Sequence, residues 1–142
     1  MKLYKKILYP TDFSQNSIRT MDYALRVSKD QNAELILLYA YRLINNGNSD
    51  HISHRNNLAE HGWKNYEAVN KELLADSEVG YTYLSEVGFI EDRILATVNE
   101  NDVDLVVICD SVHKAIKSQN KYGNERLLKR ISCPLMMVPA DL

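Results

Sequence analysis

Residues 104–124, DLVVICDSVHKAIKSQNKYGN, decide the fold of this chain. The stretch opens with a continuous apolar run at residues 105–108, which is too short for a helix and rich in β-branched side chains. Such a run is typical of a strand that is covered on both faces. The polar residues after it include three lysines and end at Gly123, where a helical pattern begins. The sequence therefore predicts a strand, a polar loop and a helix, and open α/β sheets bind ligands at such a junction.

The rest of the chain alternates strands with helices. Short apolar segments rich in β-branched and aromatic residues predict strands at residues 6–10, 35–39, 81–87 and 134–139. The segments between the strands repeat apolar residues every three to four positions, which predicts amphipathic helices. The order β-α-β-α-β-α-β-α-β indicates parallel strands joined by right-handed crossovers, with helices on both faces of the sheet. We predict an α/β fold, a three-layer α/β/α sandwich around a five-stranded parallel sheet.

Size and composition are those of an ordinary globular domain. The chain has 142 residues, of which 45% are hydrophobic and 25% charged, and its formal net charge is -2. This length suits one domain, residues 1–142, that buries a core without disulfides or metal. No apolar run approaches the roughly 20 residues needed to cross a bilayer, and the start of the chain lacks a signal-peptide pattern. We expect a cytoplasmic protein that binds neither membranes nor nucleic acid.

Two local features refine this prediction. Residues 45–57 are rich in Asn, Ser, Gly and His, which predicts a mobile loop. Cys109 and Cys133 should lie at opposite ends of neighbouring strands, roughly 16 Å apart. Because a disulfide requires the two residues to lie within roughly 7 Å, we predict two free thiols.

The sequence does not favour a catalytic or metal site. Residues 110–113, DSVH, contain the residue types of a hydrolytic triad. A nucleophile, a base and an orienting group on one short loop rarely reach the geometry that catalysis needs, and the motif G-x-S-x-G is absent. The spacing of His51, His54 and His61 matches no zinc pattern with cysteine or carboxylate partners. We predict no catalytic residue and no bound metal.

Four segments of the sequence resemble the universal stress protein family, and the resemblance covers nearly the whole chain. The segments are KKILYPTDFSQNS (5–17), AELILLYAY (33–41), DVDLVVICDS (102–111) and RLLKRISCPLMMVP (126–139). The resemblance implies a five-stranded parallel sheet of the adenine nucleotide alpha hydrolase-like type, with strand order 3-2-1-4-5. It also implies a dimer with a role in stress response or regulation.

Part of that family binds ATP through the pattern Gly-x-x-Gly-x9-Gly-Ser/Thr after the fourth strand. The glycines let the backbone close around the phosphates, and the last two residues open a helix whose N–H groups point at them. In this chain Asp110 and His113 stand at the first two glycine positions, Gly123 is retained, and Asn124 replaces Ser or Thr. A carboxylate at 110 repels phosphate, and a side chain at 113 obstructs close backbone approach. Lysines at 114, 117 and 121 could offset part of the repulsion.

If a nucleotide binds, the resemblance implies that it lies between the first-strand turn and the loop 110–124. Asp12 matches the position that meets the adenine or ribose end in ATP-binding relatives. Asp12 and Ser14 are also candidate caps for the first helix, and the two roles do not exclude each other. The candidate nucleotide-binding residues are Pro10, Thr11, Asp12, Tyr39, Asp110, His113, Gly123 and Asn124.

Residues 134–139 form an apolar strand that the expected strand order places at the edge of the sheet. An uncovered edge strand tends to pair with another chain, and pairing with a second copy across a two-fold axis would cover it. We predict a homodimer through this strand, and an additional protein partner stays open. The predicted function is a non-catalytic stress-response or regulatory dimer with a degenerate nucleotide-binding loop and no cofactor. The alternative is an ATP-binding member of the same family.

Overall fold

Five strands form one sheet in the computed structural model, which describes residues 3–43 and 51–141. The strand order is β3-β2-β1-β4-β5, as predicted, and each neighbouring pair is parallel. The strands are β1 (Lys6–Pro10), β2 (Glu34–Tyr41), β3 (Tyr81–Val87), β4 (Leu105–Ile108) and β5 (Leu135–Met137).

Helices connect consecutive strands in the described part of the chain. A π-helical turn, Asn70–Leu74, continues α2. The chain moves along the sheet in one direction from β1 to β3 and in the opposite direction from β3 to β5. Right-handed crossovers therefore place the helices on both faces, as predicted. The helices are α1 (Gln15–Gln31), α2 (His51–Val69), α3 (Ile90–Asn101), α4 (Asp110–Gln119) and α5 (Glu125–Arg130).

The two inner strands form the centre of the core. All residues of β4 and all but the first residue of β1 are buried. Both faces of these strands are covered, which is why their sequences are continuously apolar instead of alternating. On one face, Met21, Ala24 and Leu25 of α1 join the same buried cluster. The removal of these apolar side chains from water is the main force that stabilises the fold.

Local signals at the helix ends match the sequence prediction. Ser14, and not Asp12, caps α1: its Oγ accepts a hydrogen bond from the Ser17 N–H at 3.2 Å. Glu91 and Asp92 lie in the first turn of α3, where the helix dipole favours negative charge. These interactions stabilise the start of each helix, and so they determine the length of the turn between the preceding strand and the helix.

Two predicted segments differ in the structure. Residues 51–57, predicted as part of a mobile loop, belong to α2. Residues 45–50, the rest of that prediction, lie outside the described residues. Because residues 55–57 are exposed, polar side chains can extend the helix there without an apolar repeat. The predicted strand 134–139 is reduced to the three residues of β5. Proline at both ends of that segment supplies no N–H to the ladder, which shortens the strand.

The largest correction concerns the predicted loop 110–124, because residues 110–119 form α4. Val112 and Ile116, four positions apart, are both buried and anchor the helix. Asp110 in the first turn forms an ion pair with Lys114 at 3.0 Å, and negative charge at this end of a helix is favourable. Glycine at the two replaced positions would weaken a helix here. Their loss allows α4 to begin almost directly after β4.

Cys109 is buried and Cys133 is partly exposed, and both are free thiols, as predicted. Within the described residues, every helix is too short or too polar to span a bilayer.

Candidate functional site

The candidate site lies where the carboxyl ends of β1 and β4 meet. These strands are neighbours at the centre of the sheet. The connection after β1 leads towards β2 and the connection after β4 leads towards β5, so the two connections diverge. In open α/β sheets this divergence leaves a crevice in which ligands bind. The two walls of the crevice are the turn after Pro10, the last residue of β1, and the N-terminal part of α4.

Hydrogen bonds within the turn after β1 hold the first wall. Thr11 is buried, and its Oγ1 lies 2.5 Å from Oγ of Ser17. The same Thr11 oxygen accepts the N–H of Phe13 at 3.0 Å. Asp12 Oδ1 accepts the N–H of Ser14 at 3.0 Å. Thr11 and Asp12, the two predicted polar residues of this turn, therefore both have structural roles.

Ser111 in the first turn of α4 joins the two walls. Its Oγ donates to Asp12 Oδ1 at 3.2 Å and accepts from Ser14 Oγ at 3.0 Å. Its N–H donates to Asn16 Oδ1 at 3.0 Å, and Cys109 Sγ lies 3.3 Å from its hydroxyl. Ser111 is not among the predicted nucleotide-binding residues. Its sequence signals are its place close after a buried strand and its membership of the DSVH stretch, from which no catalytic residue was predicted.

His113 and Asn124 form a second contact within the predicted loop. Nδ2 of Asn124 donates to Nδ1 of His113 at 2.7 Å, which connects α4 to the turn before α5. Asn124 holds the N-cap position of α5, but its side chain makes no capping hydrogen bond. Gly123 has a φ of 58°, in the left-handed region. This explains why glycine is retained here although the other two glycines of the pattern are absent.

A cleft of about 330 Å³ lies between the start of α4 and the end of β5, and a carboxylate and an imidazole are its polar groups. The N-terminus of a helix ordinarily attracts anions. In α4 the first turn already contains the carboxylate of Asp110. The cleft is therefore poorly suited to a phosphate. Its lining residues are Asp110, His113, Met137, Val138 and Pro139.

Aromatic rings from β2 and β3 pack against Phe13, on the other side of the β1 turn. The ring of Phe13 lies 5.3 Å from that of Tyr39 and 6.1 Å from that of Tyr83. Phe13 has a φ of 57°, a backbone conformation that bulky residues rarely adopt. Burial raises the pKa of Tyr83 to about 12 and also raises the pKa of Tyr39. Tyr39, a predicted nucleotide contact, is thus packed against protein side chains.

The structure divides the predicted site residues into three groups. Thr11 and Asp12 belong to the turn that Ser111 joins to α4, His113 pairs with Asn124, and Tyr39 belongs to the aromatic group. Within residues 3–43 and 51–141, no three His, Cys, Asp or Glu side chains are grouped so that they could hold a metal ion. The arrangement offers side chains that are hydrogen-bonded to one another.

Comparisons with known proteins match the chain over nearly its whole length. The model of the universal stress protein family matches residues 3–139, whereas no curated protein matches significantly. A structure of a universal stress family protein from Burkholderia pseudomallei is 20% identical and covers 98% of both chains, with a TM-score of 0.76. UspA from Lactobacillus plantarum is 18% identical over 95% of this chain and 97% of its own, with a TM-score of 0.74.

A third structure, a universal stress protein in complex with cAMP, is 18% identical over 97% of this chain and 98% of its own. Its TM-score is 0.70. At these identities the likeness to each solved structure concerns the fold.

Proposed function

Because this chain belongs to the universal stress protein family, we propose that it is a non-catalytic, dimeric stress-response or regulatory protein with a degenerate nucleotide-binding loop. The observation that carries the proposal is the carboxylate of Asp110 in the first turn of α4. The family's ATP-binding pattern has glycine at this position, so that phosphate can approach bare backbone. The residues of this chain do not fit a triphosphate at that place.

Charge is the first reason for the misfit. Two unit negative charges about 4 Å apart repel by about 4 kcal/mol at an effective dielectric constant of about 20. Nζ of Lys114 lies 3.0 Å from Oδ2 of Asp110 and offsets part of this charge. That ammonium group is then engaged by the carboxylate and is less available to a phosphate.

Space is the second reason for the misfit. The imidazole of His113 stands at the second glycine position and is held by Asn124 at 2.7 Å. A nucleotide that approached the backbone would have to displace this pair. At the other end, the ring of Phe13 packs 5.3 Å from Tyr39, where the resemblance implies a nucleotide contact. Side chains of the protein therefore occupy both places at which the resemblance implies nucleotide contacts.

One observation favours the alternative, an ATP-binding member. Asp12 is retained at the turn after β1 and lies 3.2 Å from the hydroxyl of Ser111, at the centre of the crevice. Because one universal stress protein of the same fold was solved with cAMP, this nucleotide belongs in the test beside ATP.

Isothermal titration calorimetry with Mg-ATP and with cAMP tests the proposal. We expect no binding heat at millimolar nucleotide, and we expect no nucleotide mass in the small molecules released from the purified protein on denaturation. Micromolar binding of either nucleotide, or a co-purified nucleotide, would overturn the degenerate-loop proposal in favour of the alternative.

The dimer part of the proposal is supported by β5. This strand lies at the edge of the sheet and pairs only with β4 in the described chain. Its residue Met137 is 42% exposed. A second copy that paired with β5 across a two-fold axis would bind its free backbone groups and cover this side chain.

Sedimentation velocity at micromolar concentration tests the dimer. We expect a dimer for the wild type and a monomer for Met137→Lys, because a buried unpaired charge at the strand contact is costly. Trp63→Lys on α2 is the matched control, since Trp63 is also an exposed large hydrophobic residue but packs near Tyr83 of β3, at the opposite edge of the sheet. A wild-type monomer would contradict this part of the proposal and leave the nucleotide result unaffected.

A further inference from the structure

Basic residues are concentrated in α4, α5 and the turn between them. Residues 114–130 contain six of the chain's 17 lysines and arginines and only one of its 19 aspartates and glutamates. Their formal charge is therefore +5, and the remaining 11 basic and 18 acidic residues give the rest of the chain -7. The overall net charge of -2 conceals this asymmetry. The six basic residues are all exposed: Lys114, Lys117, Lys121, Arg126, Lys129 and Arg130.

Three of these six cations form ion pairs within the described residues. Lys114, Lys129 and Arg126 form ion pairs with Asp110, Glu125 and Glu91 at 3.0, 3.3 and 3.8 Å. The other three, Lys117, Lys121 and Arg130, have no carboxylate within ion-pair distance in the described ranges. Exposed cations make the local electrostatic potential positive. Because these three lack an internal partner, they are available to an anionic partner.

A groove of about 520 Å³ runs along the outer side of α5. Tyr122 at its start is 57% exposed, and Nζ of Lys121 lies 5.1 Å from the centre of its ring. The lining positions recur every three to four residues, so they share one side of the helix. The groove therefore combines an exposed aromatic ring with a row of cations. Its lining residues are Tyr122, Glu125, Arg126, Lys129 and Arg130.

We propose that this groove, together with Lys121, binds an acidic segment of a partner protein. Carboxylates of the segment pair with Lys121 and Arg130, the cations at this groove without an ion-pair partner in the described residues, and an apolar side chain packs on Tyr122. Clusters of arginine recognise acidic motifs because the guanidinium group binds carboxylates with two parallel hydrogen bonds. The proposal supplies a partner class for the regulatory role proposed above, but its evidence does not depend on the nucleotide loop.

The distribution of charge favours a short acidic protein segment over a nucleic acid. The positive charge is confined to 17 consecutive residues, and the rest of the chain is strongly negative. A polyphosphate chain that extended beyond α4 and α5 would meet repulsion, whereas a short peptide would not. An aromatic residue beside arginines also provides the kind of anchor that dominates protein interfaces.

Fluorescence anisotropy with a labelled peptide tests the proposal on the full-length protein. The probe is a short glutamate-rich peptide with one central phenylalanine, and its counterpart has glutamine in place of every glutamate. We expect the acidic peptide to bind and its affinity to fall as salt is raised, because exposed charge pairs are screened. The double substitution Lys121→Gln/Arg130→Gln should weaken binding about tenfold. Tyr122→Ala should weaken it without changing the salt dependence.

The control variant is Lys64→Gln/Lys71→Gln on α2 and its π-helical turn, which removes the same number of exposed positive charges elsewhere. It should retain wild-type affinity. None of the test substitutions touches Glu91 or its partner Arg126, so the ion pair to α3 stays intact. Absence of binding, equal binding of the glutamine peptide, or equal losses in both double variants would each overturn the proposal. So would tighter binding of single-stranded RNA of the same charge.

Discussion

The side-chain amide of Asn124 donates a 2.7 Å hydrogen bond to Nδ1 of His113 and so joins the turn before α5 to α4. The ATP-binding pattern of the family has Ser or Thr at position 124 and glycine at position 113. With glycine at position 113 there would be no imidazole for residue 124 to contact. The contact is therefore specific to the residues that this chain has in place of the pattern.

If the residues at 110, 113 and 124 prevent nucleotide binding, replacing them with the residues of the family's ATP-binding pattern should restore nucleotide binding. The triple variant Asp110→Gly/His113→Gly/Asn124→Ser removes the carboxylate, the imidazole and the hydrogen bond between residues 113 and 124. We expect it to bind Mg-ATP at least about tenfold more tightly than the wild type, because a repulsion of several kcal/mol is removed. Calorimetry with both proteins measures the difference.

The single substitution Asp110→Asn separates charge from space in the same experiment. It removes the negative charge but keeps a side chain of the same size, so we expect a smaller gain than in the triple variant. Two glycines in α4 each cost about 1 kcal/mol of helix stability, so circular dichroism must first show that the triple variant is folded. A folded triple variant with wild-type affinity for Mg-ATP would show that the replaced residues at 110, 113 and 124 are not what prevents nucleotide binding.

Ser111→Ala should destabilise the fold, because it removes the hydroxyl that joins Asp12 and Ser14 to α4. Loss of the part-buried bond from Ser14 and the exposed bond to Asp12 should lower the free energy of unfolding by about 1 kcal/mol. Ser118→Ala in the same helix is the matched control, since the Ser118 hydroxyl is exposed and bonds only to the nearby carbonyl of Ala115. Denaturant unfolding compares the two, and equal losses would show that Ser111 has no special role between the walls.

Most of the fold could be predicted from the sequence because its signals are local. The bounds of β1 and β3 agree with the predicted segments at 6–10 and 81–87. Continuous apolar runs and the alternation of strands with helices also gave the parallel sheet. The helix α4 was missed because the polar residues after β4, with their three lysines and the glycine at 123, were interpreted as a loop. The spacing of Val112 and Ile116 already contained the helical signal.

The internal contacts of the site could not be predicted in the same way. Ser111 and Asp12 are 99 positions apart in the sequence, and their contact depends on the register between β1 and β4. The packing of Phe13 on Tyr39 depends on a left-handed backbone at Phe13, which no residue pattern indicates for an aromatic side chain. Residue types suggested which positions matter, whereas their partners required the tertiary structure.

The close approach of α2 to the aromatic group predicts opposite outcomes for two glycines. A Cβ atom on Gly62 would lie 2.5 Å from Cε2 of Tyr39, whose ring is also packed against Phe13. Gly62→Ala should therefore lower the free energy of unfolding by about 1–3 kcal/mol, despite the better helix propensity of alanine. At Gly80 an added Cβ meets nothing within 4 Å. Gly80→Ala should be neutral or slightly stabilising in the same denaturant titration, and an equal effect of both substitutions would contradict the packing of Gly62 on Tyr39.

The buried hydroxyl of Tyr83 predicts a loss of stability at alkaline pH. Burial raises its pKa from 10.0 to about 12 in the folded protein, so the folded state holds this proton more tightly than the unfolded chain does. The stabilising contribution is complete below pH 10 and is lost as the pH rises from 10 towards 12. In Tyr83→Phe there is no proton to lose, so its free energy of unfolding should fall less steeply over that range. Tyr122→Phe, which changes an exposed tyrosine, should keep the wild-type slope. Urea titrations at several pH values between 9 and 12 measure these slopes, and identical slopes for Tyr83→Phe and the wild type would contradict the buried state of this hydroxyl.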